Sequence, residues 1–79
     1  MQKVLVLNGP NLGRLGSREP DIYGALDFPG LTSAIEAAAA SLGLSADVRQ
    51  TDSESELIGW IHEAVDAKQN VIMNPAAFT

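Results

Sequence analysis

Val4-Leu5-Val6-Leu7, followed at once by Asn8-Gly9-Pro10, is a run of four aliphatic residues that ends in a turn. A short apolar run without polar alternation is typical of a strand that is buried on both faces of a parallel sheet. The glycine and the proline then prevent the strand from continuing. The run therefore predicts a central strand with a covering layer on each side.

A helix is predicted downstream, between two capping signals. Asp27 can cap its N-terminus, Pro29 suits the first helical position, and Gly43 is a stop signal. Between these signals, apolar residues recur at helical spacing and define one face. The residues of this face are Phe28, Leu31, Ile35, Ala38, Ala39 and Leu42.

A second strand and a second helix follow. Residues 46–51 alternate between apolar and polar side chains, which predicts a strand. Ser53 and Glu56 have the spacing of a capping box. The apolar face of this second helix consists of Leu57, Trp60, Ile61, Ala64 and Val65. Residues 71–73 are again short and apolar, and they predict a third strand.

The elements follow the order β-α-β-α-β, which gives parallel strands joined by right-handed crossovers. We expect residues 1–79 to form the N-terminal part of a single α/β domain, with a three-layer, flavodoxin-like arrangement and strand order 2-1-3. In this order the third strand is an edge, and its apolar residues have no closing helix after them. On physical grounds alone, the sequence therefore has the organisation of the first half of a domain.

Composition excludes several classes of function. Five Lys and Arg residues against ten Asp and Glu residues give a net charge of −5, whereas a nucleic-acid surface needs clustered basic residues. No apolar stretch approaches the roughly 18 residues of a membrane span, and the first apolar run is too short for a signal peptide. With no cysteine and one histidine, the chain lacks a set of zinc ligands. We expect a cytoplasmic protein that binds no metal.

An irregular segment, residues 8–25, follows the first strand and contains four glycines and two prolines. It shows neither helical nor strand periodicity, and a connection of this length is usually a lid or a binding loop. In open parallel sheets, ligands bind beyond the carboxyl ends of the strands, where the strand order switches direction. This rule brings the segment together with Asn74-Pro75, which follows the third strand.

Arg14, Arg18 and Tyr23 lie in this segment of an otherwise acidic chain. The planar fork of arginine matches a carboxylate or a phosphate, so an anionic substrate is indicated. A nearby positive charge favours the phenolate form of tyrosine, which can act as a general base. From the residues alone, an aromatic anchor and a solvated surface charge are the commoner roles of Tyr23 and Arg18. The phosphate loops G-x-x-x-x-G-K-[ST] and G-x-G-x-x-G are missing, which counts against a nucleotide-binding flavodoxin relative.

The sequence resembles the type II 3-dehydroquinate dehydratases in blocks that keep the same order over all 79 residues. The first block is the most specific and comprises Leu7-Asn8-Gly9-Pro10-Asn11-Leu12, Leu15-Gly16, Arg18-Glu19-Pro20 and Ile22-Tyr23-Gly24. The later blocks are Arg49-Gln50-Thr51-Asp52 with Glu54, Trp60-Ile61-His62 and Ile72-Met73-Asn74-Pro75.

This resemblance implies a shikimate-pathway lyase of chorismate and aromatic amino acid biosynthesis. The family converts 3-dehydroquinate to 3-dehydroshikimate by anti elimination of water through an enolate, without a metal or other cofactor. Carried onto this sequence, Tyr23 would take the C2 proton, and Arg18 would favour its phenolate form and stabilise developing charge. Asn11 would position a water at the enolate oxygen, and Asn74 would hydrogen-bond substrate hydroxyls. The family also assembles as trimers that pack into dodecamers.

The sequence departs from the family pattern at several positions. Ala76 stands where a glycine usually follows Asn-Pro, Ser53 where His or Asn is frequent, and Gly13-Arg14 where Asn-Leu is common. The chain ends at Thr79, before the positions of the family's substrate-binding and general-acid histidines. We therefore expect the 79-residue chain alone to be inactive. A non-enzymatic α/β module for binding or assembly, which keeps only the first half of the family domain, is the alternative.

Overall fold

The apolar run near the start of the chain forms the central strand of a parallel sheet. The computed structural model describes residues 2–10 and 27–76. Within them the elements are β1 (Gln2–Asn8), α1 (Phe28–Ser41), β2 (Leu44–Gln50), α2 (Glu54–Asp66) and β3 (Asn70–Asn74). β1 pairs in parallel with both other strands, so the order is β2-β1-β3. The predicted α/β class and the predicted strand order 2-1-3 are confirmed.

The core lies on both faces of β1 because side chains alternate along a strand. Leu5 and Leu7 are 2% and 0% exposed and face α2, where they form a cluster with Leu57 and Ala64. Val4 and Val6 are also buried and lie on the opposite face. Crossovers between parallel strands are right-handed in nearly all proteins, and the two crossovers here run in opposite directions across the sheet, so α1 and α2 lie on opposite faces. Burial of each large aliphatic side chain contributes about 1.5–3 kcal/mol, so β1 supplies much of the driving force for folding.

α1 has the capping residues that the sequence predicts. The carboxylate of Asp27 accepts a hydrogen bond from Gly30 N at 2.8 Å. The helix begins one residue before Pro29, which therefore occupies its second position rather than its first. Gly43 follows the C-cap with a φ of +74°, a conformation that glycine adopts without steric strain. Leu42 was expected on the apolar face, but it caps the helix and is 74% exposed.

α2 begins with half of the predicted capping box. Ser53 Oγ accepts a hydrogen bond from Glu56 N at 3.2 Å. The backbone N–H of Ser53 donates to Thr51 Oγ1 at 2.9 Å, so a threonine supplies the acceptor that a capping box takes from glutamate. Val65 was expected on the apolar face of this helix and is instead 68% exposed.

The C-terminus of α2 is a Schellman motif. Lys68 N donates to Val65 O at 3.1 Å, and Gln69 N donates to Ala64 O at 2.8 Å. Lys68 has a φ of +54°, in the left-handed region where glycine is the usual residue. The backbone of Lys68 is therefore strained.

β3 is an edge strand of the described sheet, as expected. All five of its residues are exposed, and its three apolar residues, Val71, Ile72 and Met73, are 37%, 60% and 44% exposed. Across residues 2–10 and 27–76, no helix is long and apolar enough to cross a membrane.

Candidate functional site

The carboxyl ends of the three strands form one edge of the sheet. Asn8, at the end of β1, is in register with Gln50 of β2 and with Asn74 of β3. The direction of strand order switches between β1 and β3, and this is where ligands bind in open parallel sheets. Asn8, Gly9, Gln50, Asn74 and Pro75 form this edge, which we call the carboxyl-edge site.

Of the four residues that the sequence assigns to the site, the structure describes one. Asn74 is the last residue of β3 and is exposed at the carboxyl edge. Asn11, Arg18 and Tyr23 lie outside the described residues. Asn8 was predicted as the first residue of an irregular segment, but it belongs to β1 and is 3% exposed. The rest of that segment, from residue 11 onward, also lies outside the described part.

Gly9 brings the ends of β1 and β3 into direct backbone contact. Its N–H donates to Asn74 O at 2.9 Å. A Cβ at this position would overlap the carbonyl oxygen of Pro75 and would lie 2.8 Å from the carbonyl carbon. No side chain fits here, because both obstructing atoms belong to the backbone. The sequence marks Gly9 only as a turn residue, since the close approach depends on how β1 and β3 pair.

Asn8 joins the ends of β1 and β2. Its Nδ2 donates to Arg49 O at 3.1 Å, and its carbonyl oxygen accepts from Thr51 N at 3.0 Å. A buried amide needs such partners, because an unsatisfied polar group in the interior is destabilising by about 1–3 kcal/mol. The side chain of Asn8 therefore has a structural role.

Gln50 makes a second side-chain connection at this edge. Its Nε2 donates to Gly9 O at 3.2 Å and to Asp52 Oδ1 at 3.0 Å. Both acceptors are oxygens that cannot donate, so the NH₂ group of Gln50 must face them. The sequence indicates Gln50 only as a polar residue near a strand end, and its partners are visible only in the folded chain.

Ala76, next to the site, has a strained backbone. Its φ is +51°, and a left-handed conformation destabilises a residue with a Cβ by about 1–2 kcal/mol. The family that the sequence resembles usually has glycine at this position, and glycine adopts this conformation without the penalty. The corner that follows Asn74 thus keeps a conformation suited to glycine although its residue is alanine.

The guanidinium of Arg49 pairs with side chains of the fold itself. Its Nη2 lies 2.9 Å from Asp47 Oδ2, its Nη1 lies 3.4 Å from Glu63 Oε2, and its Cζ lies 5.3 Å from the centroid of the Trp60 ring. The hydrogen bond from Arg49 lowers the pKa of Asp47, against an opposing effect of burial. The same hydrogen bond, in which Asp47 accepts, raises the pKa of Arg49. Arg49 is therefore not a candidate for binding a substrate anion.

The described residues contain no group of three or more His, Cys, Asp or Glu side chains that could hold a metal ion. Asn8, Gly9, Gln50, Asn74 and Pro75, which define the carboxyl-edge site, supply amides and backbone groups. Such groups orient a hydroxylated ligand through neutral hydrogen bonds. The edge can therefore position a polar substrate, whereas proton transfer requires further groups.

Comparison with known proteins shows which family has this arrangement. The family model described as "Dehydroquinase class II" matches residues 2–79. The chain belongs to the class II dehydroquinase family. The type II dehydroquinase from Propionibacterium acnes has a similar structure, with a TM-score of 0.93 and 51% identity over 99% of this chain and 54% of that one. The type II dehydroquinase from Butyrivibrio crossotus gives a TM-score of 0.92 at 35% identity, over 99% of this chain and 55% of that one.

Curated relatives of this chain carry the name 3-dehydroquinate dehydratase. The protein from Mycobacteroides abscessus is 59% identical over 76 residues, which cover 96% of this chain and 53% of the relative. The chain thus spans about half the length of the curated relatives it matches. The carboxyl-edge site lies within the half that is shared.

Proposed function

We propose that this chain contributes the proton-abstracting half of a 3-dehydroquinate dehydratase site. The reaction removes water from 3-dehydroquinate to give 3-dehydroshikimate, a lyase step of the shikimate pathway. The observation that supports it best is the contact at the switch point, where Gly9 N donates to Asn74 O at 2.9 Å. This contact holds the end of β3 beside the start of the segment that contains Asn11, Arg18 and Tyr23.

In this proposal Tyr23 acts as the base. Its phenolate takes a proton from C2, and the electrons of the C–H bond form an enolate with the C3 carbonyl. The enolate then collapses, the C1 hydroxyl leaves as water with a proton from an acid, and a conjugated enone results. General base catalysis of this kind contributes roughly 10²–10⁴-fold to a rate.

The other residues have electrostatic and positioning roles. The guanidinium of Arg18 favours the phenolate form of Tyr23 and stabilises the charge that develops in the transition state. Asn11 orients a water toward the enolate oxygen. Asn74 hydrogen-bonds the hydroxyls of the substrate, for which its place at the carboxyl end of β3 is suited. The proposal requires no metal or other cofactor.

The proposal extends to assembly and location. We propose homotrimers that pack into dodecamers in the cytoplasm, and a site completed by groups from outside this chain. The acid that protonates the leaving hydroxyl is one of these groups, so we expect the 79-residue chain alone to show no turnover. A non-enzymatic module remains the alternative reading, and the enzyme names of the relatives do not favour it.

A ligand titration tests the role of the carboxyl edge. The ¹⁵N-labelled chain is titrated with 3-dehydroquinate and followed by NMR. We expect Asn74→Ala to weaken binding about tenfold, because it removes hydrogen bonds worth about 1–1.5 kcal/mol. Asn70→Ala is the matched control, since Asn70 is the first residue of the same strand and lies at its amino end, away from the carboxyl-edge site. Equal affinities for the two variants would contradict the proposed role of Asn74.

A further inference from the structure

Hydrogen bonds at the carboxyl edge join the ends of all three strands through one residue. Gly9 donates its N–H to Asn74 O of β3 at 2.9 Å. Its carbonyl oxygen accepts from Gln50 Nε2 of β2 at 3.2 Å. Gly9 is buried, so water does not readily replace either partner. The position of Gly9 therefore depends on β2 and β3 together.

The side chain of Gln50 is itself held in place. Its Nε2 also donates to Asp52 Oδ1 at 3.0 Å, so the two N–H bonds of the amide point to two different acceptors. A half-buried amide held at both hydrogens has little freedom to rotate, which makes it a suitable support for a neighbouring backbone.

We propose that Gln50 is a positioning residue for Asn74 and acts through Gly9. Without the Gln50 donor, the buried carbonyl of Gly9 lacks this partner and turns toward water. Because the φ and ψ of one residue link that carbonyl to the Gly9 N–H, the hydrogen bond to Asn74 O then weakens. The end of β3 loses its fixed position, and Asn74 with it. This inference rests on the proposed function, in which Asn74 contacts the substrate.

Two variants of the 79-residue chain distinguish the effect of the hydrogen-bond donor of Gln50 from the effect of its side-chain shape. Gln50→Leu removes the amide at similar size, and Gln50→Glu keeps the shape but offers only acceptor oxygens at neutral pH. The matched control is Gln2→Leu, the same substitution at the amino end of β1. Urea unfolding and circular dichroism establish that each variant folds before it is compared.

The first measurement is hydrogen exchange of the Gly9 amide, which reports the bond to Asn74 O directly. We expect exchange about tenfold faster in Gln50→Leu and Gln50→Glu, with the amides of α1 unchanged. The second is the NMR shift of the Asn74 side-chain amide, which should move in both variants. The third is the affinity for 3-dehydroquinate, which should fall about tenfold. Gln2→Leu should change none of the three.

Several results would overturn the inference. Unchanged exchange at Gly9 would show that Gln50 does not support this residue. Wild-type behaviour of Gln50→Glu would show that shape and not the donor matters. Faster exchange throughout α1 and α2 would indicate general destabilisation in place of positioning. If the unsubstituted chain does not bind 3-dehydroquinate, that result contradicts only the proposed contact of Asn74 with the substrate in this chain, and the Gly9 exchange and Asn74 shifts still decide the role of Gln50.

Discussion

Replacing Gly9 by alanine tests the close approach on which the carboxyl-edge site depends. The added methyl group would overlap Pro75 O, lie 2.8 Å from Pro75 C and lie 3.4 Å from Asn74 O. All three are backbone atoms, so no flexible side chain can move aside. The ends of β1 and β3 must separate, and the 2.9 Å hydrogen bond from Gly9 N to Asn74 O must lengthen or break.

The expected loss of stability follows from two contributions. Overpacking of a close contact typically destabilises by about 1–3 kcal/mol, and the lost hydrogen bond adds about 1 kcal/mol. Gly9→Ala should therefore lower the free energy of unfolding by about 2–4 kcal/mol. At roughly 0.05–0.15 kcal/mol per residue, a domain of this size has a total stability of about 4–12 kcal/mol. The substitution thus removes a large fraction of it.

Urea unfolding followed by circular dichroism measures this loss, and two other glycines serve as controls. A Cβ at Gly59, inside α2, meets nothing within 4 Å, so Gly59→Ala should stabilise by about 0.8–1 kcal/mol through helix propensity. Gly43 also has open space but a φ of +74°, so Gly43→Ala should destabilise by about 1 kcal/mol. A Gly9→Ala variant as stable as the unsubstituted chain, or more stable than Gly43→Ala, would refute the argument.

Three further substitutions test strain and charge by the same unfolding measurement. Ala76→Gly should raise the free energy of unfolding by up to about 1 kcal/mol, because it relieves a φ of +51°; an unchanged value would argue against strain there. Lys68→Gly should stabilise to a similar degree at the end of α2, and a loss of stability would show that the lysine side chain matters more than its φ of +54°. Arg49 lowers the pKa of Asp47, so the ionised carboxylate of Asp47 stabilises the folded state. This stabilisation is fully present above the unfolded-state pKa of about 3.9 and is lost as the pH falls through the folded-state pKa. Asp47→Asn should therefore lower the free energy of unfolding by about 1 kcal/mol at pH 7, allowing for solvent screening, and should not change it at strongly acidic pH. A difference between the two proteins that stays the same at all pH values would contradict this account.

The strand order could be predicted because it depends on local patterns. Val4-Leu5-Val6-Leu7 requires cover on both faces, and two intervening helices require parallel strands with crossovers. Two right-handed crossovers in the same direction would put both helices on one face of the sheet. Cover on both faces therefore requires crossovers in opposite directions, which leaves β1 in the centre. The caps at Asp27 and Ser53 were also predictable, because a cap involves residues within one turn.

Other features could not be predicted because they depend on the pairing of distant residues. The steric requirement at Gly9 appears only when β3 lies beside β1, and the contact of Arg49 with Glu63 requires α2 to pack across β2. Helical periodicity placed Leu42 and Val65 on apolar faces, but which positions of a helix face the sheet depends on how the helix packs, and both side chains are exposed. Asn74 lies at the carboxyl end of β3, as the sequence predicted. Its role in substrate binding rests on the resemblance and remains a proposal, as do the roles of Asn11, Arg18 and Tyr23.

The most direct test of the central claim is a chimera. This chain is joined to the remaining C-terminal part of the 3-dehydroquinate dehydratase from Mycobacteroides abscessus, and formation of the conjugated enone is followed by its ultraviolet absorbance. We predict conversion of 3-dehydroquinate to 3-dehydroshikimate, and a loss of roughly 10²–10⁴-fold in kcat for Tyr23→Phe. Asn70→Ala should leave the rate unchanged. A folded chimera without turnover, or a Tyr23→Phe variant as fast as its parent, would contradict the account.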